Sequence, residues 1–589
     1  MTVPSSLNQS SSFWVNLFLQ NRELSGFIIV LIYLLVASIL AYILSNHIAR
    51  IYRGEPTVFS RYAKPFIDFF EKMLGPVAKK KMKLRDYVLS FVFFNLVAGV
   101  VAILAIYFQN YVPFNHAFAA NNFSLIINTV VSFLTNTNLQ HYSNPLRFTY
   151  FSQTFVLIGL MYIGPATAFA VSMAFIRGIN TEEGHLGNFF HDLLVSFFEL
   201  IIPLSLILTV VLIVAGIPET TMYYLTVHPL FSGSTVNLPL GPVSSWESIK
   251  NLGTNGGGFY GANAGFPLEN PNWFTNILEF SAFTLIPLAS IMSLGKVFSS
   301  RSFGRMLYMV VMGIFLFSAL VAFFGEYIGI PSFSGLGMAY TGNMVGKETA
   351  IGLASSTTFG VGATMTSTGA ADALLAAYTP TGMLGIIIPL LMNDPLGGVG
   401  TSVLNLFTFV IFTAFIASLM VGRLPEMMRI KLGSKEIKYS TLSLVTHPLL
   451  VLIPLGVTFT LSFVMTSFSN PAPFRVTALL YEFGTSAANN GSEIGTFLTN
   501  QDYFNYLDAL IMLIGRYFIM IFQLVIAQSL AGKSPRSEGE NAVRLGSPAF
   551  GFTLFAVMIV VGVLSFFPVL ALGPLLSLAK DFNLFIWRV

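Results

Sequence analysis

The chain has 589 residues, of which 54% are hydrophobic and only 10% charged, whereas soluble globular domains carry about 25% charged residues. So little charge cannot cover the surface of a soluble protein of this length, and the composition predicts an integral membrane protein. The lack of cysteine excludes disulfides, thiol nucleophiles and cysteine-ligated metal sites. The formal net charge of +4 is too small to suggest a protein that binds nucleic acid.

Ten apolar segments are long enough to cross a bilayer as helices, which takes about 20 predominantly apolar residues. The first contains no charge and is followed by Arg50 and Arg53, so we expect a retained span and not a cleaved signal peptide. The ten predicted spans lie near residues 27–45, 87–108, 150–172, 195–216, 274–294, 307–328, 403–422, 447–467, 505–530 and 550–572. The sequence therefore predicts an all-α membrane protein with about ten transmembrane helices.

The basic residues predict the orientation, because cytoplasmic loops are enriched in Lys and Arg. Of the 30 Lys and Arg residues, 22 fall in alternate loops, at residues 49–85, 177–191, 296–305, 423–438 and 533–544. We therefore expect these loops in the cytoplasm and both termini outside. Segment 49–85, with Lys79, Lys80 and Lys81, is expected to be a solvated linker that faces the lipid headgroups.

Four long external loops each contain a short apolar segment followed by a run of small polar residues. The four polar runs, at residues 135–140, 254–258, 366–370 and 485–492, recur at intervals of about 115–120 residues, which indicates an internal repeat. We expect four repeats of span, pore loop and span around a pseudo-fourfold pore, plus one extra helix at each end. The predicted units are an N-terminal span with its basic linker (1–85), four repeats (86–180, 190–296, 304–425 and 444–532) and a C-terminal span (548–589).

The polar runs have a physical use at membrane depth, where non-helical backbone is tolerated only if protein or water satisfies its polar groups. Four such runs around one axis would offer carbonyl oxygens to a dehydrated monovalent cation. Short helices expected at 124–134, 245–252, 349–359 and 476–483 would direct their negative dipole ends toward that ion. No acidic residue lies in any run, which disfavours a carboxylate site for divalent ions and favours potassium or a similar ion. The alternative is four ordinary loops, since Thr-Asn and Gly-Gly are common turn chemistry, but the near-equal spacing favours a pore.

The second run carries the most specific motif. The sequence Gly-Thr-Asn-Gly-Gly-Gly-Phe at 253–259, preceded by Leu-Gly-Pro-Val at 240–243 and followed by Asn263, resembles the potassium-translocating A subunit of the Kdp potassium-transporting ATPase, a family in the superfamily of K⁺ transporters. Further matches lie at 133–140, 346–348, 367–369, 397–400, 422–426 and 489–492. The resemblance extends from about residue 90 to residue 575.

The resemblance implies a selectivity filter that captures extracellular potassium and a tunnel that leads it to a P-type ATPase partner. The residues implied to bind the ion or shape the filter come from all four repeats: Asn136, Thr137, Asn138, Gln140, Thr254, Asn255, Gly256, Gly257, Asn263, Ser367, Thr368, Gly369, Asn489, Asn490 and Gly491. The fourth run is one Asn shorter than is usual in the family, so either Asn489 or Asn490 could be the ligand. Potassium is the only metal expected, and no cofactor is expected.

The implied partners are a catalytic P-type ATPase B subunit, a C subunit and a small F peptide, in the plasma or inner membrane of a prokaryote. The chain itself lacks the means to hydrolyse ATP: residues 527–534 have Ala527 where a phosphate-binding loop needs its first glycine, and no Asp is followed by Lys-Thr-Gly. We therefore expect a non-catalytic subunit.

Three charged residues are candidates for the tunnel or its gate. Arg516 interrupts an apolar span, which costs at least about 2.5–3.5 kcal/mol unless the charge is paired or wet. By the resemblance it would lie below the filter and oppose a leak of potassium to the cytoplasm; the alternatives are an ion pair with Asp508 or snorkelling. Asp394 adjoins Asn393, which stands where the family tends to have Glu, and Arg423 is either a gate residue or a topology anchor.

Two other functions remain as alternatives. A potassium uptake channel of the Trk/Ktr type shares the four-repeat plan but has eight spans and filters more uniformly based on glycine. A membrane-embedded transferase would need His, Asp or Glu clustered at one interface, whereas the external Glu residues are scattered along the repeats. His116, His141 and His228 lack the spacing of metal ligands and are expected to be loop residues.

Overall fold

Nine of the ten predicted spans are confirmed in a computed structural model, which describes residues 22–115, 122–142, 145, 147–180, 183–229, 234–329, 342–422, 425–428, 430–468, 472–495, 499–533 and 544–581. Within these residues, nine helices are long and apolar enough to span a membrane: Glu23–Arg53, Leu84–Tyr107, Ser152–Asn180, Phe189–Val214, Trp273–Val297, Arg301–Ile328, Thr401–Val421, Ser434–Phe459 and Asp502–Leu530. The tenth predicted span corresponds to two helical segments, Pro548–Leu564 and Phe567–Ala579, which are bent by 57° relative to each other.

Several bounds differ from the predicted ones. The eighth span begins at Ser434, well before the predicted residue 447, because its first turns contain Lys435, Glu436 and Lys438 and are helical without being apolar. Four spans contain a π-helical turn, at Ser152–Leu157, Ser196–Ile201, Ile514–Phe518 and Val560–Leu564. Such turns often mark functional positions, and the third of them contains Arg516.

Four short helices, called here the first to fourth pore helices, precede the polar runs: Phe123–Leu134, Val243–Leu252, Leu353–Met365 and Ala472–Ala487. The first two lie close to the predicted positions, whereas the third is shifted toward the C-terminus and the fourth is longer at both ends. The third continues through Gly360 and Gly362, and the missing side chain at Gly362 lets the rings of Phe280 and Phe283 pack against the helix backbone. Hydropathy does not detect a helix built from small residues.

Each pore helix packs between spans. The first lies against Leu84–Tyr107 and Asp502–Leu513, the second against Ile202–Val214 and Trp273–Val297. The third packs on Arg301–Ile328, and the fourth on Ser434–Phe459 and Asp502–Leu513. The first and fourth pore helices thus share one span, which closes the bundle.

The third repeat contains a helix that the sequence did not predict, Pro380–Leu391. It is separated from the span Thr401–Val421 by a non-helical break in which Asn393, Asp394, Gly397 and Gly400 have positive φ. A Cβ on Gly400 would overlap the backbone of Ala168, so the break fits only as glycine-rich chain.

The linker at 49–85 is helical and not merely solvated chain. The first helix, Arg22–Arg53, is followed by a helix at Ser60–Leu74 and a 3₁₀ helix at Gly75–Lys79. Tyr62, Phe66 and Phe69 are exposed on the Ser60–Leu74 helix, as expected of a segment that lies at the headgroups.

Two hairpins and several short helices complete the described structure. Tyr224–Val227 pairs antiparallel with Val236–Pro239, and Glu426–Met427 with Ile430–Lys431. The short helices are Gln109–Tyr111, Gln140–Tyr142, Asn263–Gly265, Leu375–Ala377 and Ser462–Met465. The second segment of the C-terminal bent pair is itself made of two helices, Phe567–Leu572 and Pro574–Asp581.

Candidate ion-binding site

The four polar runs leave their pore helices in the same way. In each run, one backbone N–H donates to the carbonyl five residues earlier, near the end of the pore helix. The four bonds are Thr137 to Ser132 (2.8 Å), Asn255 to Lys250 (2.8 Å), Thr368 to Ala363 (3.0 Å) and Asn490 to Thr485 (2.8 Å). Thr137, Asn255, Thr368 and Asn490 therefore occupy equivalent positions.

The backbone on either side of these positions also repeats. In all four runs the preceding and following residues have positive φ: Asn136 and Asn138 (63° and 50°), Thr254 and Gly256 (52° and 86°), Ser367 and Gly369 (51° and 67°), Asn489 and Gly491 (54° and 95°). Alternation of left-handed with other conformations turns successive peptide groups to a common side. The repeated geometry aligns Asn489 with Asn136, and Asn490 with Thr137.

Contacts between neighbouring runs close a ring. A Cβ on Gly257 would overlap the carbonyl oxygen of Asn138 in the first run, and a Cβ on Gly256 that of Thr368 in the third. The third and fourth runs meet in the same way, with Gly369 against the carbonyl oxygen of Asn490, and the fourth returns to the first, with Gly491 against that of Thr137. The runs follow one another around a single axis in chain order, and glycine is required where they touch.

Asparagine side chains fasten one run to the next. Asn136 Nδ2 donates to the carbonyl oxygens of Gly253 (3.0 Å) and Thr254 (2.9 Å). Asn489 Nδ2 donates to Thr137 Oγ1 (3.0 Å), and Asn490 Nδ2 to the carbonyl oxygen of Ala363 (2.9 Å). Asn138 differs, since neither atom of its buried amide has a hydrogen-bond partner among the described residues. Its amide oxygen is thus available to an ion.

Gln140 and Asn263 lie at the end of the ring that the predicted topology assigns to the outside, called here the outer end. Asn263 Nδ2 donates to Gln140 Oε1 (2.6 Å) and to the carbonyl oxygen of Gly256 (2.7 Å). Both residues line an outer cavity of about 400 Å³ together with Lys347 and Asp372. Its lining includes residues at the end of, or shortly after, each of the four runs, so the cavity opens onto this end of the ring.

A smaller cavity lies at the inner end, lined by Ser367, Asn393, Asn489 and Arg516 among others. Arg516 is only 5% exposed, and no described residue forms an ion pair with it. The alternative of an Arg516–Asp508 ion pair is therefore wrong: Asp508 lies against His141 and Ser486.

Asp394 is buried beside the third run. Its Oδ2 accepts a hydrogen bond from Ser367 Oγ (2.5 Å), while its Oδ1 has no partner among the described residues. Its neighbour Asn393, and not Asp394, lines the inner cavity. Arg423 lies outside the described residues.

Buried ionic groups surround the ring, and the sequence did not predict them. Lys250 Nζ lies 2.5 Å from Glu247 Oε2 and 2.9 Å from Glu269 Oε2, and donates to Asn263 Oδ1 (2.8 Å). Lys347 Nζ lies 2.8 Å from Glu326 Oε2. In the sequence, the three-residue spacing of Glu247 and Lys250 on one short pore helix could have indicated the ion pair between them.

A third buried ionic group, centred on His141, contradicts two expectations from the sequence. His141 is buried, not an ordinary loop residue, and its Nε2 lies 3.1 Å from Glu482, 3.8 Å from Asp508 and 4.0 Å from Glu493. The external Glu residues, scattered in sequence, are thus partly clustered in space. Burial by itself lowers the pKa of His141, but the hydrogen bond with Glu482 and the charges of Glu493, Glu482 and Asp508 raise it to about 9. His228 is exposed, as expected, and His116 lies outside the described residues.

Comparisons with known proteins agree with the fold and with the sequence motifs. The chain is 59% identical over 97% of its length to the potassium-transporting ATPase potassium-binding subunit of Thermoplasma acidophilum, of which the match also covers 97%. It is 35% identical over 90% of its length to the protein of the same name from Caldanaerobacter subterraneus, of which the match covers 95%.

Among solved structures, the potassium transporter TrkH from Vibrio parahaemolyticus is similar in fold. The TM-score is 0.51 at 13% sequence identity, over 84% of this chain and 97% of TrkH. Residues 31–578 match the family described as potassium-transporting ATPase A subunit. By this match over most of its length, the chain belongs to the family of the potassium-transporting ATPase A subunit.

Proposed function

We propose that this chain is the potassium-binding and potassium-translocating subunit of an ATP-driven, high-affinity potassium uptake pump. The observation that carries the proposal is the closed ring of four polar runs with one repeated backbone geometry. Neutral carbonyl, hydroxyl and amide oxygens in such a ring can replace the water shell of a monovalent cation. Family membership selects potassium as the ion.

The ion is held by groups from each repeat. The carbonyl oxygens around Thr137, Asn255, Thr368 and Asn490, together with the free amide of Asn138, form the filter. Gly256, Gly257, Gly369 and Gly491 allow the runs to approach one another. Gln140 and Asn263 form its outer mouth, whereas Asn136, Thr254, Ser367 and Asn489 form its inner end.

Arg516 and Asp394 lie next to the inner end of the filter and control the exit of the ion. The unpaired Arg516 guanidinium beside Asn489 repels a cation that would pass straight toward the cytoplasm, and thereby diverts it into a lateral tunnel. Asp394 holds Ser367 at the inner end of the third run. Arg423, which follows the span Thr401–Val421 in the sequence, is a further candidate for this gate.

Energy for uphill transport comes from partners. The chain acts as the non-catalytic subunit of a complex with a P-type ATPase B subunit, a C subunit and a small F peptide in the cell membrane of a prokaryote. Both termini face outside, and no cofactor takes part in ion binding by the filter.

The alternatives lose support. The likeness to TrkH concerns the fold alone, and the relatives that share most of the sequence are named as ATPase subunits. A transferase would need its acidic cluster at an accessible interface, whereas His141, Glu482 and Asp508 have fully buried side chains.

The test is the potassium-stimulated ATPase activity of the complex co-purified with this chain. Replacement of Gly256→Asp places a side chain against the carbonyl oxygen of Thr368, so the potassium concentration for half-maximal stimulation should rise, and discrimination against sodium and rubidium should weaken. Gly54→Asp, at a glycine that lies outside the spans, has positive φ as Gly256 does and has nothing within 4 Å of its Cβ position, is the matched control. If Gly256→Asp shifted neither quantity, the site would be wrongly assigned.

A further inference from the structure

The buried cluster of His141, Glu482, Glu493 and Asp508, called here the histidine cluster, lies outside the ring of polar runs. It joins four separate elements: the segment after the first run, the fourth pore helix, the segment after the fourth run and the last span of the fourth repeat. The side chains of His141, Glu482 and Asp508 are fully buried, and that of Glu493 is 16% exposed. The filter mechanism makes no use of these groups.

Hydrogen bonds determine which nitrogen of His141 carries hydrogen. Asn505 Nδ2 donates to Asn500 Oδ1 (3.0 Å) and to Ser124 Oγ (3.2 Å), so its Oδ1 is the atom that faces His141. This oxygen lies 2.7 Å from His141 Nδ1 and can only accept. Nδ1 therefore carries a hydrogen whatever the charge of the ring, and Nε2 points toward the carboxylates.

When Nε2 carries no proton, it and the carboxylate oxygens around it are all acceptors. Glu482 Oε1, Asp508 Oδ2 and Glu493 Oε1 lie 3.1, 3.8 and 4.0 Å from Nε2. A proton on Nε2 would satisfy only the nearest of them. Glu482 Oε2, Glu493 Oε1 and Asp508 Oδ2 have no hydrogen-bond partner among the described residues, and buried carboxylate oxygens without a partner are costly.

A divalent metal ion would satisfy several of these oxygens at once. One ligand atom from each of His141, Glu482 and Asp508 lies within 4.8 Å of the other two. Ligand atoms about 2.0–2.2 Å from a tetrahedral zinc ion lie about 3.3–3.6 Å apart, so small side-chain shifts suffice. A metal-bound histidine commonly donates its second ring N–H to an oxygen, which is the role of Asn505 here.

The histidine cluster differs from the other two buried ionic groups around the ring in how its carboxylates are neutralised. In the second and third repeats an ammonium group, that of Lys250 or Lys347, lies against the carboxylates. In the histidine cluster, within the described residues, no Lys or Arg forms an ion pair with these acids. Imidazole and carboxylate ligands suit zinc, manganese and related divalent transition metals.

We infer that the histidine cluster is a structural site for a divalent transition-metal ion, with His141 Nε2, Glu482 and Asp508 as ligands and Glu493 as the fourth. The ion replaces the lysine of the other repeats and clamps the first run to the fourth pore helix. Glu493 also lines the outer cavity, which gives the ion a route of access from outside. The site is separate from the potassium filter and goes beyond the expectation that potassium is the only metal.

The experiment uses the full-length chain in its purified complex, with an affinity tag that contains no histidine. Metal content is measured by elemental analysis, and the chain is then stripped with a chelator and titrated with Co²⁺, whose visible spectrum reports tetrahedral nitrogen and oxygen ligands. The expected result is one tightly bound metal per chain and a saturable Co²⁺ spectrum. A wild-type protein that binds neither metal nor Co²⁺ would show that protons alone balance the cluster and would overturn the proposal.

Three variants sharpen this test. His141→Lys supplies a tethered ammonium, so it should fold, keep potassium stimulation and bind no Co²⁺. Asn505→Ala removes the acceptor of the Nδ1 hydrogen and should weaken Co²⁺ binding about 10–100-fold. His228→Ala, at an exposed histidine, is the control and should bind Co²⁺ as the wild type does. Unchanged Co²⁺ binding in both His141→Lys and Asn505→Ala would place the metal elsewhere and refute the site.

Discussion

The polar runs and the ionic groups around them lie within a few residues of each other but have opposite electrostatic character: the runs are neutral, and the surrounding groups bury full charges. The runs contain no charged side chain and hold backbone oxygens near one axis, as a site that must release its ion requires. The surrounding groups bury full charges, such as Lys250 with Glu247 and Glu269. Neutral groups near the axis keep the ion exchangeable, while charged pairs behind them keep the runs in place.

Two hydrogen bonds through Asn263 connect the ionic group of Lys250 to the second run. Lys250 Nζ donates to Asn263 Oδ1, and Asn263 Nδ2 donates to the carbonyl oxygen of Gly256. A buried ion pair thus orients a filter residue through one amide. Damage to the runs should therefore change ion binding first, whereas damage to the ionic groups should change stability first.

The largest effect is expected where two runs touch. Gly369 has φ +67°, and a Cβ there would overlap the carbonyl oxygen of Asn490. Gly369→Ala should abolish potassium stimulation of the complex at low potassium, because left-handed backbone costs a residue with a Cβ about 1–2 kcal/mol and the overlap adds to that cost. The measurement is ATPase activity against potassium concentration.

Gly54→Ala is the matched control for Gly369→Ala. Gly54 has φ +69° but nothing within 4 Å of its Cβ position, so its replacement carries the strain without the overlap. Potassium stimulation should remain. Equal loss in both variants would mean that strain alone, and not contact between runs, explains the effect.

The second-largest effect, a loss of stability, is expected when a buried ionic group loses its cation. Lys250→Met leaves Glu247 and Glu269 buried without their cation, which should destabilise the protein by about 3–5 kcal/mol. Thermal unfolding in detergent should show a lower midpoint. Lys81→Met, which breaks the exposed pair with Glu183, should have no measurable effect, since exposed pairs contribute little. Similar midpoints for the two variants would contradict the structural role of Lys250.

Arg516→Ala should have an intermediate effect that concerns coupling and not stability. Loss of the guanidinium removes the positive charge beside the inner cavity, so potassium should leak through the chain or ATP hydrolysis should uncouple from uptake. Potassium flux into proteoliposomes, with and without ATP, measures both. Arg516→Lys keeps the charge and should keep the coupling; tight coupling in Arg516→Ala would remove Arg516 from the gate.

The smallest effect on potassium binding is expected when one side chain of a run loses its hydrogen bonds to neighbouring segments. Asn489→Ala removes hydrogen bonds to Thr137 Oγ1 and to the carbonyl oxygen of Met512, each worth about 0.5–1.5 kcal/mol. The potassium concentration for half-maximal stimulation should rise about tenfold, which corresponds to about 1.4 kcal/mol. Asn237→Ala, in the exposed hairpin, is the control. An unchanged potassium dependence of Asn489→Ala would mean that the fourth run is held by other contacts.

Much of the fold was predictable because the bilayer imposes a simple rule on spans. Long apolar segments and the distribution of Lys and Arg revealed ten spans, and the spacing of the polar runs indicated the repeats. The helix Pro380–Leu391 and the shifted third pore helix were not predicted. Both are short helices buried in protein, where neither length nor hydropathy distinguishes helix from loop.

The candidate site was predictable to the level of residues but not of contacts. Glycine and asparagine in the runs indicated unusual backbone, and the structure shows positive φ at Asn136, Asn138, Gly256, Gly369 and Gly491 among others. Which run touches which, and that Asn489 aligns with Asn136, required the structure. Hydrogen bonds across more than a hundred residues of chain leave no periodicity in the sequence.

The sequence by itself determined that the chain spans a membrane, repeats a pore loop four times and keeps those loops free of charge, because each of these properties is local in the chain or periodic along it. Only the tertiary structure decided where the remaining charges lie. His141 and Glu482 are 341 residues apart in sequence, yet 3.1 Å separates their side chains. Such a pairing follows from how the first and fourth repeats meet around the axis, and closure of a ring is a property of the whole fold.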